Sequence, residues 1–254
     1  MTKAILELKN IHTVVNAGTS NQLEILRGIN LKINAGDFIT VVGTNGAGKS
    51  TLFNAIAGTQ TIAAGHLLHN GQDITNTSEE ERTKFLSRVF QDPKLGTAPR
   101  MTVAENLLLA EKRGSHRLLK PRHLKQAFAS LQAQAAQMNN GLEKRMNTFV
   151  SGLSGGQRQA LSFLMATLKR PDVLLLDEHT AALDPHTSQE LLQATNERIT
   201  KDHLTALMIT HHLDDALKYG NRLLVLKDGQ VVADFTGADK QALTVDDLYK
   251  FFDD

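Results

Sequence analysis

The eight residues Gly43-Thr44-Asn45-Gly46-Ala47-Gly48-Lys49-Ser50 restrict the fold more than any other stretch of the chain. They match G-x-x-x-x-G-K-[ST], a loop that cradles phosphate with its own backbone. The pattern has mechanical meaning between a buried strand and the start of a helix. Residues 36–42 before it are rich in Phe, Ile and Val, and residues 51–57 after it read as a helix that Gly58 stops. In that setting glycines permit the turns, successive N–H groups wrap a phosphate, and the helix presents its positive end. Lys49 is then placed for the β- and γ-phosphates of a nucleoside triphosphate and the Ser50 hydroxyl for Mg²⁺. The candidate phosphate-binding set runs from Gly43 to Thr51, the residue that opens the helix.

The remaining pattern supplies the other parts of such a fold. Residues 4–8 read as a strand, and residues 23–33 alternate apolar and polar as a half-exposed strand pair. Leu67 and Leu68 followed by Asn70-Gly71 predict a hairpin that ends near Ile74. Thr77-Ser78 is a cap for a helix over 79–87. The stretch from 102 to about 138 changes character: it is rich in Ala, Leu, Gln, Lys and Arg, with Pro121 between two helical runs, and reads as a helical insertion. From residue 173 strands (173–176, 204–210, 223–226) alternate with helices (185–200, 214–218). Asp228-Gly229 then turns into a strand over 230–235, and a helix over 244–252 closes the pattern. Strands alternating with helices around a Gly-rich loop imply an α/β fold with a parallel, helix-covered sheet. No internal repeat or low-complexity linker divides the chain.

Two further motifs carry chemistry. Val173-Leu174-Leu175-Leu176-Asp177-Glu178 is an apolar strand that ends in two acids. A buried strand can deliver Asp177 to a Mg²⁺ shell, while Glu178, pointing elsewhere, polarises an attacking water. Leu153-Ser154-Gly155-Gly156-Gln157 immediately precedes a helix over 158–169, so Ser154 and the two glycines form a second anion-binding helix start.

An LSGGQ segment shortly before such an acidic strand, with a P-loop upstream, resembles the ATP-binding cassette (ABC) ATPases over essentially the whole chain. The resemblance implies a P-loop NTPase core with a parallel sheet, an N-terminal antiparallel β subdomain and an inserted α-helical subdomain. In one ABC domain it sets residues 1–92 and 153–254 as the catalytic lobe and about 93–152 as the helical part. It also assigns roles. Phe90-Gln91-Asp92 looks like the Q-loop, whose Gln91 contacts Mg²⁺ or water and couples to a membrane partner. Ala181-Ala182-Leu183-Asp184 resembles the D-loop, and the strand over 204–210 leads to His211-His212, of which the family's spacing favours His211 as the switch histidine at the γ-phosphate. Family members usually stack an aromatic residue on adenine. The matching position here is Val15, which leaves apolar contact, or His12, to meet the base.

The resemblance further implies a dimer in which Ser154 of one copy faces the ATP held by Lys49 of the other. It implies transmembrane permease subunits as separate proteins, a substrate-binding protein outside the membrane, and a place on the cytoplasmic face. Residues 145–152 lack the acidic, Gly-containing loop that exporters of the family often carry before the signature. This favours import of a small solute, amino acids among the candidates. An exporter ATPase and a soluble assembly ATPase remain the alternatives.

Composition agrees with these expectations. The absence of cysteine excludes a disulfide framework, a thiolate metal site and a Cys nucleophile. A net charge of +1 gives no pull toward nucleic acid, and one cassette without a coiled-coil insertion disfavours that role further. The opening MTKAILELKN reads as a strand rather than a secretory signal, and no apolar run is long enough to span a bilayer.

Overall fold

The computed structural model describes residues 4–16, 18–114 and 123–252. The chain divides into two compact units, Met1–Arg82 with His203–Asp254, and Thr83–Asp202. The first unit opens with β1 (Ala4–Val15), β2 (Leu23–Asn34), β3 (Phe38–Gly43), α1 (Lys49–Ala57), β4 (Ala64–His69), β5 (Gln72–Asp73) and α2 (Glu79–Arg82). The second unit holds β6 (Leu86–Val89), α3 (Val103–Glu111), α4 (Leu124–Ala136), α5 (Gly155–Leu168), β7 (Val173–Asp177) and α6 (Pro185–Lys201). The chain then returns to the first unit as β8 (Ala206–Ile209), α7 (Leu213–Lys218), β9 (Arg222–Lys227), β10 (Gln230–Thr236), α8 (Gly237–Gln241) and α9 (Val245–Tyr249).

In the first unit β2, β1, β4 and β5 form an antiparallel sheet. Alternation along β1 buries Leu6, Leu8, Ile11 and Thr13 on one face, as a half-covered antiparallel strand requires. Residues 23–33, expected as a strand pair, are one continuous strand whose partner is β1. Their alternation marked one face of a sheet and held no turn. Asn70 (φ 50°) and Gly71 (φ 85°) form the left-handed pair that joins β4 to β5. A second set of strands has a different texture. β3 lies between β8 and β9, parallel to both, and β10 closes the edge antiparallel to β9. The five residues Phe38 to Val42 and all of β8 are buried, the continuous apolar run of a strand covered on both faces.

The helix expected over 79–87 stops at Arg82, and Leu86–Val89 is a strand. Its start was read correctly. The Ser78 and Glu81 side chains cap each other's backbone, with Glu81 N–H donating to Ser78 Oγ (3.2 Å) and Ser78 N–H to Glu81 Oε2 (2.9 Å). Its end is set by Arg82. This side chain is 2% exposed and donates to the carbonyls of Ala55, Ile56, Ile74 and Thr75. Two of these belong to the last turn of α1, whose carbonyls have no partner within their own helix.

In the second unit β6 and β7 run parallel, with Val89 opposite Leu176. The helices α3 and α4 match the two runs expected in the insertion. Pro121, read between them, lies outside the described residues. Thr102 and Glu105 form a capping box at the start of α3, which packs on α5 and buries Val103, Leu107 and Leu108. No helix among the described residues is long and apolar enough to cross a membrane.

Candidate functional site

The P-loop of the first unit connects β3 to α1. Gly48 sits at the helix N-cap with φ 97°, and a Cβ there would meet the Leu26 methyl at 2.9 Å, so both backbone shape and space call for glycine. Thr44, Asn45, Gly46 and Ser50 are exposed along the loop, whereas Ala47 and Gly48 are buried beneath it. Lys49 is 5% exposed, and its ammonium donates to the carbonyls of Gly43 (2.6 Å) and Thr44 (2.9 Å). The loop therefore carries its own cation on the inside of its curve. Thr51 follows in the first turn of α1. Because β3 and β8 are parallel with Val41 opposite Ile209, Gly43 and His211 leave the same ends of neighbouring strands. His211 and His212 are both exposed, and His212 is the N-cap of α7.

Val15 and Leu23 face each other at the end of the β1–β2 pair, and Leu23 is 54% exposed. The His12 ring is engaged on both sides, Nδ1 with Glu24 Oε1 at 2.6 Å and Nε2 with Asn10 Oδ1 at 3.2 Å. Sideways bonding within the sheet occupies both nitrogens of His12, and the apolar end of the strand is Val15.

In the second unit, Gln91 and Asp177 leave the matching ends of the parallel strands β6 and β7. Gln91 is exposed, and the turn it occupies is pinned from below: buried Gln159 of α5 donates to the Phe90 carbonyl at 2.9 Å. Asp177 Oδ2 accepts a 2.5 Å bond from Arg88, whose guanidinium also lies 4.9 Å from the centre of the Phe90 ring. Glu178 follows with φ 46°, the left-handed region that a residue with a side chain enters at a cost of order 1–2 kcal/mol. His179, next in line, anchors it. Its ring is 2% exposed, lies 6.5 Å from the Phe163 ring and pairs with Thr195 Oγ1 at 3.3 Å. Burial pushes its imidazole down to about 4, so it packs as a neutral ring. Glu178 thus turns away from the line of β7 while its neighbours on both sides are held.

Ser154 is the N-cap of α5, which starts at Gly155 rather than at residue 158. Its hydroxyl oxygen accepts from Gln157 N–H (3.2 Å), and Gln157 Oε1 accepts from Ser154 N–H (3.4 Å). The cap uses the oxygen of Ser154 as acceptor, and the residue is exposed. Gly156 packs so closely on the Thr187 methyl of α6 that a side chain would collide with it. Leu153 is buried behind the turn, and Ser154 and Gly155 face solvent. Asp184 caps α6 by accepting from Thr187 N–H at 3.0 Å, a bond that holds its carboxyl below the usual range. Arg88, Gln159 and His179 were not found by sequence reasoning. The one available signal was an arginine in the short run Leu86-Ser87-Arg88-Val89 before Gln91.

The fold and these motifs together define a class. The family model described as ABC transporter matches residues 26–181, and the chain belongs to that family as an ATP-binding, ATP-hydrolysing subunit with the α/β fold of P-loop NTPases. Among its relatives is the tyrosine transport ATP-binding protein of Clostridioides difficile (strain R20291). The two are 41% identical over 249 residues, covering 98% of this chain and 99% of the relative. The phosphonates import ATP-binding protein PhnC of Lactococcus lactis subsp. lactis (strain IL1403) is 30% identical, with 97% and 99% covered. Among solved structures, the ADP conformation of the ABC transporter cassette MJ1267 superposes with a TM-score of 0.79 at 26% identity over 100% of both chains. A dimeric post-hydrolysis state of the cassette MJ0796 bound to ADP and Pi gives 0.77 at 26% identity, covering 91% of this chain and 98% of that one.

Proposed function

We propose that this chain powers import of a small solute, with amino acids the first candidates, by binding ATP between two copies and driving separate transmembrane permease subunits. The observation that carries this reading is end-to-end likeness to ATP-binding proteins whose names specify tyrosine transport and phosphonates import. A substrate-binding protein outside the membrane and a place on the cytoplasmic face belong to the same reading. So does a division into a catalytic lobe (1–92 and 153–254) and a helical part (about 93–152) that meets the permease, with Gln91 as hinge. Purification of the tagged chain from its own membranes is expected to bring an integral membrane permease with it. Recovery of soluble partners alone would overturn the transport reading in favour of assembly.

Each candidate residue has a part in this scheme. Backbone N–H groups of Gly43 to Ser50 and the Lys49 ammonium bind the triphosphate, with Thr51 completing the helix start. Ser154, backed by Gly155, Gly156 and Gln157, offers its hydroxyl and a helix N-terminus to the ATP held by the other copy. Leu153 fixes that turn from behind, and Asp184 lies at the seam. Glu178 takes the proton of the attacking water, and His211 contacts the γ-phosphate.

Mg²⁺ belongs to the same reading. Ser50, Asp177 and Gln91 offer oxygen atoms, the donor type this cation prefers. Among the described residues no three His, Cys, Asp or Glu side chains gather into a metal cage. A site with one carboxylate and the rest supplied by phosphates and water is how Mg²⁺ is commonly held beside nucleotides. When bound, Mg²⁺ would neutralise charge on the β- and γ-phosphates. Orienting the water and accepting its proton fall to this chain's side chains.

Base selectivity should be poor. Stacking on an aromatic side chain contributes about 1–3 kcal/mol per base in nucleic-acid sites. With Val15 at that position and His12 tied to Glu24 and Asn10, affinity rests on the triphosphate, which all nucleoside triphosphates share. ATP and GTP are expected to be hydrolysed within about tenfold of each other, a gap of about 1.4 kcal/mol. Val15→Tyr should tighten ATP binding without changing turnover at saturation. A wild-type preference for ATP of a hundredfold or more would assign base reading to another residue.

A further inference from the structure

We propose that Arg88 is a metal-discriminating residue: by holding Asp177 in the nucleotide-free chain, it keeps free divalent cations out and admits Mg²⁺ that arrives bound to nucleotide. The proposal rests on the reading of Asp177 as the Mg²⁺ carboxylate. Arg88 and Asp177 have side chains 12% and 13% exposed, so this is no surface pair. Each removes from water a charge that the other compensates, at an N–O distance of 2.5 Å.

The arginine is also held in place. It projects from β6, which is paired along its length with β7, and its guanidinium lies over the Phe90 ring at 4.9 Å. Buried Gln159 fixes the Phe90 carbonyl immediately beyond. A strand-mounted, ring-backed guanidinium cannot drift off to solvent as a surface lysine would.

Charge then decides what can approach Asp177. A free divalent cation brings two positive charges toward a carboxylate whose charge is already matched, and beside a guanidinium that repels it. A metal bound to a triphosphate arrives within a net anion, which the same guanidinium attracts. Arg88 therefore opposes the metal alone and tolerates the metal–nucleotide complex. A purely structural ion pair would impose no such difference.

Mn²⁺ shares the oxygen-donor preference of Mg²⁺ and can be counted by electron paramagnetic resonance, so it serves as the probe. Titrated without nucleotide, wild type and Arg88→Lys are expected to bind Mn²⁺ weakly. Arg88→Gln and Arg88→Met, which remove the charge and keep an unbranched, if shorter, side chain, should bind it at least tenfold tighter. Met also keeps a favourable contact with the Phe90 ring, and thermal melting checks that each variant is folded. Adding Asp177→Asn to Arg88→Gln should erase the gain. A gain below tenfold in the folded neutral variants overturns the role of Arg88, as does a gain that survives Asp177→Asn. Mn²⁺ titration in the presence of ATP separates this from failure of the underlying reading. If Asp177→Asn leaves nucleotide-dependent Mn²⁺ binding unchanged, Asp177 is not the metal carboxylate. If it weakens that binding while the Arg88 variants gain nothing, the Arg88 proposal alone falls.

Discussion

Glu178→Gln is expected to bind ATP like the wild type and to hydrolyse it roughly 10²–10⁴ times more slowly, the usual worth of a general base. The amide matches the carboxylate in size, so the turn at φ 46° and the buried His179 behind it are undisturbed. What it loses is the ability to accept a proton from water. Binding and hydrolysis should therefore separate, and the ATP-bound dimer should accumulate in size-exclusion chromatography. Hydrolysis at the wild-type rate would remove Glu178 from the role of water-activating group.

Lys49→Ala is expected to fail earlier, at binding. The ammonium is inside the loop, bonded to the carbonyls of Gly43 and Thr44, and no other side chain of the loop is cationic. Losing two hydrogen bonds to phosphate at roughly 1.5–3 kcal/mol each removes about 3–6 kcal/mol. That is a fall in affinity of about 10²–10⁴, readable with a fluorescent ATP analogue. The same variant tests whether sites are composite. Mixed with Ser154→Arg, it should regain part of the lost hydrolysis, because one of the two sites in a mixed dimer then has both halves intact. Mixtures shown to form heterodimers yet recovering nothing would count against Ser154 acting on the partner's nucleotide.

Both predictions use residues that were legible in the sequence, and the reason is local. A P-loop, a strand ending in Asp177-Glu178 and a Ser-Gly-Gly helix start are each complete within a few consecutive residues. The helix start at Ser78 was legible for the same reason: its Ser78–Glu81 cap is complete within four residues. The errors fall where a distant partner decides. Residues 86–89 follow a true helix start with neither Gly nor Pro to interrupt it, and pairing with 173–176, far along the chain, makes them a strand. Residues 23–33 were split in two because their partner, β1, lies on the other side of a turn. Arg88, Gln159 and His179 belong to no motif. Their importance lies in what they touch, namely Asp177, the Phe90 carbonyl, and the packing of Phe163 and Thr195, and no spacing rule encodes those meetings.

The left-handed backbone at Glu178 sets stability and activity against each other at one position. Glycine there would relax the turn, and asparagine would sit in it more easily than glutamate does. A search that rewarded stability alone would therefore drift toward these residues, and each such step would discard the carboxylate. On the proposed role of Glu178 as the water-activating group, the resulting chains would fold at least as well, keep their P-loop and fill with nucleotide that they turn over slowly. On that role, the glutamate at 178 serves turnover and not folding, against the preference of its own backbone.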